Sequence, residues 1–167
     1  MFDYTGKVVA VTGASSGLGK QMAEGFAQQG GNLVLLARRV DRLEASAKEF
    51  SEKYGVEVLP LACDVTDEAA IDTALSAPDY KFGHVEVLVN CAGGEKGTGT
   101  KLVEFDRGDW DFTMNRDLSS VFTMTKKFAA YMAKNIEEGK QAYGRIINIA
   151  SIYGLVGTTA IHTIAYH

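Results

Sequence analysis

Residues 12–20 read TGASSGLGK. Glycines at 13, 17 and 19 permit a tight turn and let the backbone approach a ligand closely. A helix starting there would offer free N–H groups and a partial positive charge, which favours a phosphate or diphosphate. The spacing separates two known solutions. A P-loop needs four residues between its glycines and a Ser or Thr after its lysine. Here five residues separate Gly13 from Gly19, and Gln21 follows Lys20. No hydroxyl is set for magnesium, so an ATPase is disfavoured. The pattern G-x-G-x-x-G also fails, because Ala14 and Ser15 follow Gly13. The pattern present is T-G-x-x-x-G-x-G.

A second chemically informative position follows the next apolar run. In dinucleotide-binding folds an acidic residue there bonds the ribose 2′-hydroxyl of NAD, whereas an arginine accommodates the 2′-phosphate of NADP. Ala37 holds that slot and Arg38 and Arg39 follow. Guanidinium groups suit phosphate bidentately, so NADP(H) is expected ahead of NAD(H). The alternative is a pair of solvated loop charges. The glycine turn adds no cation of its own, since Ser15 and Ser16 are neutral. His84, His162 and His167 form no ligand set, so no metal site is expected. His84 reads as a solvated turn residue. Cys63 and Cys91 each end an apolar run and read as buried thiols.

These residues need a scaffold, and the chain alternates strand and helix signals. Residues 7–13 form a valine-rich run of strand length, suited to a strand covered on both faces. Residues 17–31 carry Met22, Ala23, Phe26 and Ala27 on one helical face before Gly30-Gly31. Residues 32–37 are a second strand, and 40–55 a second helix with Leu43, Ala47 and Phe50 inward. Residues 56–63 are a third strand, placed at a sheet edge by Pro60. A helix follows from 66, with Thr66 as its N-cap. Residues 84–93 form strand four, 108–139 one long helix, and 143–151 strand five. Trp110, Phe112, Val121, Phe122 and Phe128 read as packing residues of the long helix. Such alternation predicts a three-layer α/β/α, Rossmann-type doubly wound parallel sheet of order 3-2-1-4-5. Ligands bind such sheets beyond the strand carboxyl ends, at the switch point between strands 1 and 4. Residues 1–167 are read as a single dinucleotide-binding domain.

Composition removes other classes. The 167 residues are 46% hydrophobic and 23% charged, with a net charge of −4. No basic run offers a nucleic-acid surface. No apolar stretch approaches the ~18 residues of a membrane span. Asp3 stands where a secretory signal would be basic. Two cysteines are too few for a disulfide framework, so a cytoplasmic location is expected.

The chain resembles the short-chain dehydrogenase/reductase family from Gly6 onward, particularly 3-oxoacyl-carrier-protein reductases and gluconate 5-dehydrogenase-like members. The resemblance rests on four motifs in order: the TGASSGLG turn, ACDVTD at 62–67, NCAG at 90–93 and GRIINIAS at 144–151. It implies cofactor contacts from Thr12, Gly13, Ser15, Ser16, Gly17, Leu18, Gly19, Arg38, Arg39, Asp64, Val65, Asn90, Ala92 and Gly93. Asp64 would meet the adenine. It further implies hydride transfer between a nicotinamide and a carbonyl or secondary alcohol. Ser151 would orient the carbonyl, and a tyrosine would act as acid and base. Tyr166 is assigned that role, because Tyr153 lies too close to Ser151. Asp117 stands where the family has a catalytic asparagine. Asn115, two residues earlier, is about 200° away on an α-helix. Asp117 is read as a tolerated substitution, the alternative being a purely structural role.

A lysine four residues beyond the tyrosine, which in the family lowers the tyrosine pKa, would fall past His167. The chain is therefore expected to be an N-terminal portion of a longer enzyme, with strand five an exposed apolar edge. Expected partners are a small carbonyl or alcohol substrate and, by resemblance, further copies in a homotetramer. The competing reading is a dinucleotide-binding fragment or regulatory module without turnover.

Overall fold

The run Val8–Thr12 carries no polar side chain before its last residue, and all five positions are buried. A strand with helices on both faces has this composition. In the structure, a computed structural model describing residues 2–155 apart from Glu95 and Thr98, this strand, β1, is the centre of a five-stranded sheet. The others are β2 (Asn32–Ala37), β3 (Val58–Ala62), β4 (Val87–Asn90) and β5 (Arg145–Asn148). Their order is β3-β2-β1-β4-β5, with every neighbouring pair parallel. This is the expected doubly wound topology. Pro60 lies on the edge strand, as a residue without an N–H requires.

Strand alternation splits the core in two. Val9, Val11, Leu33, Leu35, Val87 and Val89 pack under α1 (Gly17–Gln28) and α2 (Val40–Tyr54). Val8, Ala10, Val34, Leu36 and Leu88 face α3 (Glu68–Lys81) and α5 (Ser120–Glu137). Phe50 seals the first layer and Phe128 the second, both fully buried. Burying each contributes about 1.5–3 kcal/mol. On α5, Met124, Phe128 and Met132 fall four residues apart on the buried face, as an amphipathic helix demands.

Several expectations need correction. The helix after β3 is capped by Asp67, whose carboxylate accepts from Ala69 and Ala70 N–H; Thr66 instead donates to Asp64 Oδ1 at 2.8 Å. The long helix runs from Arg107 to Glu137 in helical backbone throughout, but it is not α all the way. α4 (Arg107–Met114) passes into a π turn (Asn115–Ser119) before α5. Among the described residues Phe122 is 66% exposed and Trp110 37%, so neither is buried as Phe128 is. Cys91 is only half-buried.

His84 is not simply solvated either. Its Nε2 lies 3.4 Å from Oε2 of Glu86, a carboxylate only 3% exposed. The same Oε2 accepts the Val8 N–H at 2.8 Å, and Lys7 Nζ lies 3.6 Å from the other oxygen. Glu86 thus satisfies a buried donor at the start of β1. Replacing Glu86 with Ala orphans that N–H, and a loss of about 1–3 kcal/mol is expected in urea unfolding.

The Cys63 thiol lies under the α3 layer, where burial pushes its pKa up from 9.0 to about 11. The folded state therefore favours the protonated form. That stability is intact below pH 9.0 and is lost as pH rises toward about 11. Comparing wild type with Cys63→Ala in chemical denaturation across this window should show a shallower decline in the variant. Iodoacetamide should leave native Cys63 unmodified at pH 7.

Candidate functional site: the cleft at the carboxyl ends of β1 and β4

The site begins with Thr12, the last residue of β1. Its side-chain oxygen accepts the N–H groups of Cys91 and Ala92, both at 2.9 Å, just past the end of β4. This tie draws the exit of β4 against the turn after β1. A Cβ on Gly13, which has φ +70°, would sit 2.9 Å from Ala92 Cα. A Cβ on Gly19 would collide with the Gly13 carbonyl. Gly17 supplies φ +56° in open space. Each glycine of the motif thus has its own reason: close approach at 13 and 19, and a left-handed bend at 17.

Beyond this seam lies a cavity of about 970 Å³. Gly13, Ser15, Ser16, Leu18 and Gly19 line it from the turn, and Arg38, Arg39, Asp64 and Val65 from the ends of β2 and β3. Asn90, Ala92, Gly93, Asp117 and Ser151 complete the sequence-predicted residues found there. Thr12 and Gly17 do not line the cavity. Thr12 is buried beneath it, and Gly17 sets the turn. Tyr166 lies outside the described residues, as do His162 and His167.

The N-terminus of α1 opens into this space with no side-chain cap and no acidic residue in its first turn. α3 and α4 differ: Asp67 and Asp106 cap them through side-chain carboxylates. The first N–H groups of α1 are thus available to an anion. Arg39 reaches from the end of β2 to the glycine turn. Its Nη2 donates to Ser15 Oγ at 3.0 Å and to Ser16 Oγ at 2.9 Å. The cation missing from the turn in sequence arrives from another element.

Arg38 lies 4.0 Å from Asp64 Oδ2. The Thr66 N–H, donated to Oδ1 at 3.0 Å, is the main reason the Asp64 carboxyl lies below the usual carboxylate range. Asn90 is 3% exposed and donates to Thr125 Oγ1 at 3.1 Å and Asn148 Oδ1 at 2.9 Å, joining β4 to α5 and β5. Asp117 Oδ1 accepts the Gly94 N–H at 3.0 Å, holding the loop after β4 against the π turn. Asn115 is exposed and off the cavity wall.

The sequence reading missed Arg116, Phe112 and Gly94, which also form cavity wall. Phe112, expected as helix packing, forms cavity wall instead. Among the described residues no three His, Cys, Asp or Glu side chains gather as metal ligands. No described helix is long and apolar enough to cross a membrane.

Dehydrogenase subunit BbsD of Thauera aromatica is 37% identical over 146 residues, covering 87% of this chain and 55% of that protein. Gluconate 5-dehydrogenase of Gluconobacter oxydans (strain 621H) is 33% identical over 152 residues, covering 91% and 56%. The L-sorbose reductase of Gluconobacter frateurii, solved with NADPH and L-sorbose, superposes with a TM-score of 0.86 at 32% identity, covering 98% of this chain and 59% of that one. The chain thus spans a little over half the length of the relatives it matches. The short chain dehydrogenase family matches residues 7–166. With the parallel sheet and the glycine turn in place, the chain belongs to the short chain dehydrogenase family.

Proposed function

We propose that residues 1–167 form one dinucleotide-binding domain of an NADP(H)-preferring oxidoreductase acting on a carbonyl or secondary alcohol. The observation that carries this reading is Arg39, held by Ser15 and Ser16 beside the uncapped start of α1, with no carboxylate at Ala37. A diphosphate fits the free N–H groups of α1. A ribose 2′-phosphate fits Arg39 and the two hydroxyls, with Arg38 beside it. The L-sorbose reductase solved with NADPH supports the same choice.

A bound nicotinamide supplies or accepts hydride at the substrate carbon. The protein's own task is the oxygen. In this reading the Ser151 hydroxyl orients the carbonyl oxygen, and the Tyr166 phenol donates its proton to it during reduction or removes it during oxidation. Asp117 acts by fixing the loop at Gly94, which walls the cleft. Two free cysteines support a cytoplasmic location. Exposed Leu118, Phe122 and Ile136 along the π turn and α5 support assembly into a homo-oligomer, read as a tetramer.

Calorimetric titration tests the cofactor. NADPH should bind more tightly than NADH. Arg39→Ala should weaken NADPH by about tenfold to a hundredfold, the range for losing charge-assisted hydrogen bonds, and leave NADH nearly unchanged. Equal wild-type affinity for both overturns the preference, and uptake of neither overturns the reading. Ser151→Ala should keep NADPH affinity while any carbonyl reduction, followed by NADPH absorbance, falls about a hundredfold or more.

A further inference from the structure

Arg116 belongs to none of the motifs, yet it lines the same cavity as they do. It lies in the π turn, and both it and the next residue, Asp117, line the cavity. Its guanidinium is anchored on three sides. Nη2 donates to the Gly93 carbonyl, at the exit of β4. The guanidinium lies against Gly94, where any Cβ would collide with it. Its Cζ stands 5.5 Å from the centre of the Phe112 ring. A flexible side chain is thereby held as a flat, positively charged surface.

Its place in the cavity says what that surface meets. Gly93 and Ala92 lie at the end of β4 and Asp64 just past the end of β3, all on the same cavity wall; on the dinucleotide reading Asp64 marks the adenosine end. Arg116 is among the charges that hold the Asp64 carboxyl low, after Thr66 and Arg38, which sets it toward that side. A guanidinium plane is attracted to the face of an aromatic ring, and a purine offers such a face to any planar partner.

Building on the dinucleotide reading above, we propose that Arg116 is an affinity-determining residue for the adenosine half of the coenzyme, its guanidinium forming the cationic wall on which the purine stacks. The side-chain-free Gly94 leaves room for that wall.

The test is calorimetric titration of wild type, Arg116→Ala and Arg116→Lys with NADPH and with adenosine 2′,5′-bisphosphate, which lacks the nicotinamide half. Thermal melting of each unliganded protein reports folding. Arg116→Ala should weaken both ligands by the same factor, roughly tenfold. Arg116→Lys, which keeps charge without a plane, should fall between. If Arg116→Ala binds the bisphosphate like wild type, the inference is overturned while the dinucleotide reading stands. A lysine variant with wild-type affinity overturns the stacking wall, since charge alone would then suffice. If wild type binds neither ligand, the dinucleotide reading fails and takes this inference with it. Should Arg116→Ala lose its cooperative melt, Arg116→Gln, which keeps a donor for the Gly93 carbonyl, is read by the same criteria.

Discussion

The hydroxyl of Thr12 holds the site together. Two adjacent N–H groups beyond β4 converge on one oxygen at the end of β1. Past that point the ladder stops, and the two chains diverge toward opposite layers. The cleft opens where they part, as strand order reverses direction there. Gly13 can lie against Ala92 only because it has no side chain. The start of α1, the Asn90 bridge and the loop ending at Gly94 are all positioned from this seam. A buried threonine off the cavity wall thus fixes where the wall residues stand.

The cleft is asymmetric in charge. One wall carries the unused N–H groups of α1, with Arg39 drawn over them by two serines. Asp64, its carboxyl held below the usual carboxylate range chiefly by the Thr66 N–H, marks the side beyond. The wall between β4 and the π turn is locked by Asp117 to Gly94 and by Arg116 to Gly93. These bonds tie a glycine-rich loop to a helix, and consecutive residues of the π turn supply both.

At the far end of the sheet another buried polar group does structural work. Glu86 satisfies the Val8 N–H and gathers Lys7 and His84 around it. The entry of β1 is secured there and its exit at Thr12. A central strand buried along its whole length needs both, because any unpaired N–H at its ends would remain away from water.

Local sequence fixed the elements, because hydrophobic period and glycine placement act within a few residues. The valine run of β1, Pro60 at an edge and the TGASSGLG turn were legible for that reason, and parallel topology followed from alternation; the buried face of α5 was legible only at Phe128. The helix cap at Asp67 was misread by one residue, since Thr66 and Asp67 both offer a capping oxygen and only geometry chooses. The π turn was invisible, since its sequence satisfies a helical pattern equally well. Arg39 over Ser15 and Ser16, and Arg116 against Gly93, depended on packing. Thr12 likewise reaches across 79 and 80 residues of chain to Cys91 and Ala92. Residue types announced a phosphate-binding turn and a doubly wound sheet. Which side chains share the cleft was decided only when distant segments came within hydrogen-bonding distance.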